Sequence, residues 1–321
     1  MYGKSGFIVI GERSDSLIVK SRQVSGELKL MRILNARMEL EDKDKQNYFN
    51  LEKGFEGELK FDALMTNLQQ ERLILNDLLL EKNTTKFQID SFHIAQATVY
   101  HFEVKNFEGD YYIEKDRFFT YSGKEVLNPL HQLRRSETLL RQVFQNSGFS
   151  FPIESYLIFV NPSFTLYQAP KDPYIIFPTQ LDRFLLKMNR APSSNLNTRH
   201  TKLAEKLLAL HQIDDPYKRL PLYSFEGVRK GVMCGSCYSF DVSVGEYYTI
   251  CNDCKCTEES DNAILRSISE FQLLFPERKI TTSIIYDWCE VIKSVKTIRR
   301  NLAKNFKQIG YGKWVYYENR N

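Results

Sequence analysis

Phe87-Gln-Ile-Asp90 and Phe102-Glu103-Val-Lys105 decide how this chain is read. Both stretches have β-strand composition, and Ala95-Gln96-Ala97 between them looks like the turn of a hairpin. Folding the sequence about residue 96 places Asp90 across from Glu103. Side chains alternate along a strand, so Glu103 and Lys105 share one face while Phe102 and Val104 take the other. Two carboxylates and an ammonium then meet in a small volume. Such a trio is most often a solvated face with a weak ion pair. Here Ile89, Phe102 and Val104 predict strands buried on at least one face. Carboxylates in that setting need a cation or hydrogen-bond donors to offset desolvation. A divalent metal beside a positive charge meets that need, and it is the minimum required to cut a phosphodiester.

The flanking motifs extend the pattern. Gly54-Phe-Glu56-Gly57-Glu58 opens a helix with apolar positions Phe61, Leu64, Met65 and Leu68 at helical spacing. Gln88-Ile-Asp90 follows, then Phe102-Glu103-Val-Lys105-Asn106 with Gly109 just beyond. Asn128-Pro129-Leu-His-Gln132 begins another helix, with Asn128 as N-cap and Pro129 at the first helical position. This order of motifs, over roughly residues 17 to 190, resembles the NERD (nuclease-related) domain of the PD-(D/E)XK restriction-endonuclease-like superfamily. An ExK triplet alone would carry little weight; four motifs in order make the likeness specific. The resemblance implies an α/β fold, a mixed sheet flanked by helices, and the order of helices and strands fits such a core with the site on one sheet edge. It also implies an active-site set of Glu58, Asp90, Glu103 and Lys105, with Gln132 as an auxiliary polar residue. Asp90 and Glu103 would hold Mg²⁺ (or Mn²⁺). Glu56 rivals Glu58, and the GxxGE pattern favours Glu58. The implied activity is metal-dependent hydrolysis of DNA, with RNA left open. Members of such families also serve as binding modules, so a non-catalytic DNA-binding or regulatory scaffold is the alternative.

Six cysteines all lie after residue 233. Cys234-Gly-Ser-Cys237 and Cys251-Asn-Asp-Cys254 are separated by thirteen residues, the spacing of a four-thiolate zinc site whose knuckles meet across a hairpin. Disulfides and a redox CxxC are the alternatives. Two matched knuckles in a chain expected to be cytoplasmic argue against both. A closed four-ligand site stabilises rather than catalyses. Cys256 is a spare thiol able to compete as a ligand, and Cys289 reads as a helical core residue.

The length of 321 residues accommodates two or three domains, and a hydrophobic fraction of 42% supports a sizeable core. The apolar patch Phe7-Ile-Val-Ile10 is too short for a signal-peptide core, and no apolar run approaches a membrane span. The expected order is an extension over 1–16, a NERD-like domain over 17–190, a linker and helix over 191–225, a zinc ribbon over 226–257 and a basic helical module over 258–321. Between Glu56 and Met188 the pattern predicts a helix to Gln70, strands at 72–81 and 111–121, a helix to Asn146, and strands at 156–160 and 174–177. The net charge is only +4, yet residues 278–321 hold ten Lys or Arg against three Asp or Glu, so the rest of the chain sums to −3. Helices over 282–292 and 295–306, followed by a Gly-broken aromatic stretch, resemble a winged helix-turn-helix. Val295, Ile298, Leu302 and Phe306 would face its core. Lys296, Thr297, Arg299, Arg300 and Lys304 are the candidate nucleic-acid contacts. A solvated basic helix is the competing reading. Among five histidines none has metal-ligand spacing, and His93 and His101 read as ordinary strand positions beside the hairpin.

Overall fold

The computed structural model describes residues 16–190, 195–213, 219–245 and 247–320. Nearly all of the expected 1–16 extension, and residues 191–194 of the expected linker, lie outside them. In chain order the elements begin with β1 (Ser16–Lys20), α1 (Gly26–Arg37) and α2 (Asp42–Met65). Then come β2 (Arg72–Lys82), β3 (Thr85–Ile94), β4 (Val99–Lys105), β5 (Gly109–Glu114), β6 (Arg117–Thr120), β7 (Glu125–Val126) and α3 (Pro129–Asn146). The series continues with β8 (Ile153–Phe159), β9 (Phe164–Tyr167), β10 (Ile175–Ile176), α4 (Leu181–Asn189) and α5 (Thr198–Leu210). The last elements are β11 (Val242–Val244), β12 (Tyr248–Cys251), β13 (Thr257–Glu259), α6 (Ser260–Leu274), α7 (Thr282–Cys289), α8 (Val295–Asn305), β14 (Phe306–Ile309) and β15 (Tyr316–Asn319).

Contacts group these elements into two units. Among the described residues, one holds 16–24 and 50–213; the other holds 25–49 and those from 219 onward. This differs from the five consecutive segments expected. Helix α1 groups with the C-terminal modules because its Arg37 donates to Glu270 Oε2 at 2.6 Å and to the carbonyls of Arg229 and Gly231. Helix α5, expected between the domains, groups with the first unit: Leu203, Ala204 and Leu207 pack on the sheet.

The first unit is built on a six-stranded mixed sheet of order β1-β2-β3-β4-β8-β10. Strand β2 is an almost unbroken apolar run, Leu73-Ile-Leu75 to Leu78-Leu-Leu80, as suits a strand covered on both faces. One face packs Phe92, Ile94 and Val99 against Leu140, Val143 and Phe144 of α3 and against α5. The other packs Tyr100, Phe102, Tyr156 and Ile158 against Phe61 and Met65 of α2 and Phe184 of α4. Alternation along β4 thus leaves His101, Glu103 and Lys105 on the α3 face. A second sheet, β7-β6-β5-β9, shares Phe118, Phe159 and Phe164 with the start of α3. The single strand expected at 111–121 is a hairpin. Lys115 (φ 50°) and Asp116 (φ 64°) form a two-residue turn between Glu114 and its partner Arg117.

In the second unit, one cysteine knuckle precedes the antiparallel sheet β11-β12-β13 and the other joins β12 to β13, and α6, α7 and α8 lead into the β14–β15 hairpin. Ile280, just before α7, bridges to Tyr317 and adds a third edge to that hairpin. Ile285, Trp288, Ile298 and Leu302 are fully buried. Val295, expected in the apolar face, is 43% exposed because it is the first residue after the Ser294 cap. Helix, isolated bridge, helix, turn, helix and hairpin thus follow one another over this stretch.

Candidate functional site

The β3–β4 ladder runs from Ile94↔Val99 to Ser91↔Phe102, so the next position sets Asp90 against Glu103. Pairing stops there. Strand β4 stays paired to β8 as far as Lys105↔Phe159 while β3 parts from it. In the gap Val104 N–H donates to Asp90 Oδ2 at 2.8 Å. The β2–β3 ladder is interrupted at the same level: Asn76↔Ser91 and Leu78↔Ile89 pair, and Asp77 between them has φ 53°. The site therefore lies at two central strands, not on the sheet edge expected, because the strands diverge there.

Glu103 is fully buried. Lys105 Nζ forms an ion pair with its Oε1 at 2.7 Å, and Oε2 has no hydrogen-bond partner among the described residues. Burial, then the nearby Asp90 charge, pushes its pKa up to about 7 against the opposing pull of Lys105. Burial would lower the Lys105 pKa, but the Glu103 and Asp90 charges outweigh it and raise it. Gln132, in the first turn of α3, accepts from Lys105 Nζ at 3.3 Å. Asn128 caps that turn by accepting from Leu130 N–H at 3.0 Å, which fixes where Gln132 sits.

Glu58 arrives from α2. The preceding Gly57 explains how: a Cβ there would lie 2.4 Å from Asn106 Cβ, so only glycine lets the helix approach the end of β4 this closely. Asn106 holds the approach by donating Nδ2–H to the Lys53 carbonyl at 2.7 Å. The rival Glu56 is exposed on the same helix. Burial, then the Asp90 charge, pushes the Glu58 pKa up to about 8.

One member of this site was missed in the sequence. Arg22, whose side chain is 3% exposed, spends all five guanidinium donors around Glu58. Nε and Nη2 clamp the two oxygens of Asp62 at 2.7 and 2.9 Å. Nη1 reaches Glu58 Oε2 at 2.7 Å and Asp77 Oδ1 at 2.6 Å, and Nη2 also reaches the Asp90 carbonyl at 2.9 Å. That carbonyl belongs to the interrupted rung, so Arg22 supplies the donor the ladder lacks. Burial opposes the Arg22 charge, but the three carboxylates outweigh it and raise its pKa. No local motif marks Arg22, which lies 36 residues before Glu58. The i, i+4 pair Glu58 and Asp62 was the available hint, since two carboxylates on one helix face call for a cation.

His93 and His101 are core residues. His101 sits between Ser155 and Ser136 hydroxyls, His93 touches the Ser91 hydroxyl, and burial holds both pKa values down to about 3.

The cysteines form a second centre, in the other unit. Ligand atoms of Cys234, Cys237, Cys251 and Cys254 all lie within 4.8 Å of one another. The two knuckles repeat one backbone pattern. The Cys234 carbonyl accepts from Tyr238 N–H, and the Cys251 carbonyl from Lys255 N–H. Cys234 N–H donates to the Ser239 carbonyl, and Cys251 N–H to that of Cys256. Tyr238 (φ 60°) and Lys255 (φ 61°) are both left-handed. Four soft sulfurs at this separation fit a tetrahedral zinc. Cys256 stands apart, its Sγ directed at the Thr257 carbonyl, and Cys289 is buried in α7.

On α8, Lys296 and Arg299 are exposed without an ion-pair partner among the described residues. Arg300 and Lys304 face Asp261 of α6, at 2.8 and 3.9 Å. No helix among the described residues is long and apolar enough to cross a membrane.

Comparison with curated proteins and with solved structures finds no match to this chain. A family model does match, that of the nuclease-related domain (NERD), over residues 53–160. Gly57, Glu58, Asp90, Glu103, Lys105 and Gln132 all fall inside the stretch that is similar to the nuclease-related domain.

Proposed function

We propose that the first unit is a Mg²⁺- or Mn²⁺-dependent nuclease acting on DNA. The observation that carries this reading is a pair of buried carboxylates, Glu103 and Asp90, beside a single ammonium, Lys105. One ammonium offsets only one of the two negative charges, and the remainder is costly to bury unless a further cation joins it. Asp90 and Glu103 offer oxygen atoms only, which suits a hard divalent ion. Among the described residues only the cysteines bring three or more ligand atoms within 4.8 Å of one another. Glu58, held by Arg22, would complete the shell through water, as Mg²⁺ accepts readily. The ion, when bound, supplies Lewis acidity and an activated water.

The chain's own groups do the remaining work. The Lys105 ammonium, steadied by Glu103 and Gln132, faces the charge that builds on the phosphate in the transition state. Arg22 fixes Glu58 and the Asp90 backbone relative to each other. The zinc ribbon and winged helix hold nucleic acid, mainly through phosphate contacts of Lys296 and Arg299. A cytoplasmic, reducing setting belongs to the same reading, since it keeps the zinc thiolates reduced.

The test is cleavage of end-labelled single- and double-stranded DNA by zinc-loaded protein with Mg²⁺ or Mn²⁺, with RNA alongside. Cutting that disappears in Asp90→Ala and Lys105→Ala is expected. Equal cutting by wild type and both variants would sink the site assignment. Binding without cutting under either metal would favour the scaffold reading instead.

A further inference from the structure

The tip of the β14–β15 hairpin carries two large aromatic side chains in solvent, Tyr311 at 86% and Trp314 at 74% exposure. The turn that presents them is tight. Gly310 (φ 77°) and Gly312 (φ 61°) both take left-handed backbone, and a Cβ on Gly310 would lie 3.0 Å from the Trp314 carbonyl oxygen. Trp314 N–H donates to the Tyr311 carbonyl at 3.3 Å, so both rings belong to one turn. The hairpin is anchored by the Ile280–Tyr317 bridge and by Arg320, which donates to the carbonyls of Phe306 and Ala303. A rigid tip with two exposed rings loses little conformational freedom when it stacks on something flat.

Charge identifies the occupant. Residues 278–321 hold ten Lys or Arg against three Asp or Glu. Exposed Lys296 and Arg299 on α8 and Lys307 on β14 belong to the same module. Cationic side chains and exposed aromatics on one module match single-stranded nucleic acid, whose phosphates pair with the former and whose bases stack on the latter. Inside a duplex the base faces are covered by their neighbours, so only its two terminal pairs offer such a surface.

We propose that Tyr311 and Trp314 form a base-stacking contact through which the winged-helix module engages unpaired nucleotides, at a single-stranded end or a fork. This rests on the nucleic-acid reading of that module and is independent of cleavage. Stacking on one base is worth on the order of tenfold in affinity.

The chain has two tryptophans, which makes the test direct. Trp288 is fully buried, ringed by Phe225, Phe271 and Phe275, with its Nε1–H donating to the Ser267 carbonyl. Trp314 is the exposed one. Full-length, zinc-loaded protein without added Mg²⁺ or chelator is titrated with dye-labelled duplex bearing a single-stranded overhang, and with blunt duplex of equal length. Anisotropy reports binding and tryptophan emission reports stacking. The expected result is quenching with overhang DNA only. Tyr311→Ala/Trp314→Ala should weaken overhang binding about tenfold, leave blunt binding unchanged, and keep the wild-type circular dichroism. Trp314→Phe, which stacks but does not emit in that range, should keep wild-type affinity without the quench. Saturated overhang binding with no quench overturns the proposal, as does equal weakening on both DNAs. Failure to bind any DNA overturns the nucleic-acid reading of the module with it, while metal-dependent cutting is scored separately.

Discussion

Gly54 and Gly57 lie one turn apart on α2, and replacing each by alanine isolates the contact that places Glu58. Both variants gain the same intrinsic helix propensity, about 1 kcal/mol. Nothing lies within 4 Å of a Cβ at position 54, so Gly54→Ala should stabilise by about that amount. A Cβ at position 57 falls 2.4 Å from Asn106 Cβ, where ordinary contact begins at 3.4 Å. About 1 Å must therefore open between helix and strand. Asn106 cannot yield it cheaply, being buried and bonded to the Lys53 carbonyl at 2.7 Å. Overpacking of this size costs about 1–3 kcal/mol, which becomes the expected stability difference between the two alanine variants. Glu58 is the next residue and moves with the helix, and a displacement near 1 Å can lower a catalysed rate by about 10²-fold. The assay is urea denaturation followed by circular dichroism, with hydrogen exchange of the α2 amides and Mg²⁺-dependent cleavage on the same samples. Gly57→Ala as stable and as active as Gly54→Ala would refute the close-approach argument.

Three further outcomes are expected. Glu58 and Glu103, with pKa values raised from the ordinary 4.5 to about 8 and about 7, bind more protons folded than unfolded. Metal-free protein should therefore lose stability as pH rises from about 5 to 8, and Mg²⁺ should raise the melting temperature more at pH 8 than at pH 6. A metal effect independent of pH would contradict this. Arg22→Met strips the counter-ion from Glu58, Asp62 and Asp77 and should cost about 3–5 kcal/mol at pH 7 by urea denaturation. Arg22→Lys should recover only part of it, since an ammonium has three donors where five are used, and a loss below about 1 kcal/mol in either would remove Arg22 from the argument. Zinc content by elemental analysis should be one ion per chain in Cys256→Ser and fall sharply in Cys251→Ser. Equal loss in both would make Cys256 a ligand.

What could be read from the sequence follows from the range of the interactions involved. Asp90 and Glu103 were placed opposite each other because strand period and a short turn leave little freedom over a dozen residues. The cysteine knuckles were legible for the same reason, as each is a local turn with a fixed ligand spacing. The Lys115-Asp116 turn was not, because neither residue is glycine and the flanking aromatics run on as one strand. Arg22 was invisible because its partners lie up to 68 residues away with no periodic relation to it. The divergence of β3 from β4 was also hidden. It depends on Val104 being bonded by a side chain where a strand would normally supply a carbonyl.

Helix α1 has a consequence for biosynthesis. Its buried Leu28, Met31 and Leu34 belong to a unit completed only by residues from 219 onward, and its Arg37 guanidinium lies over the Trp288 ring. Arg37 and Glu270 are 233 positions apart, so at about 5–20 residues per second α1 leaves the ribosome roughly 10–50 s before its partner exists. During that interval an apolar helix face is open between two segments that can already pair as β1 and β2. A nascent chain arrested before α7 should be a stronger client for holdase chaperones than one released complete. A recombinant fragment ending near residue 217 would carry the same open face permanently.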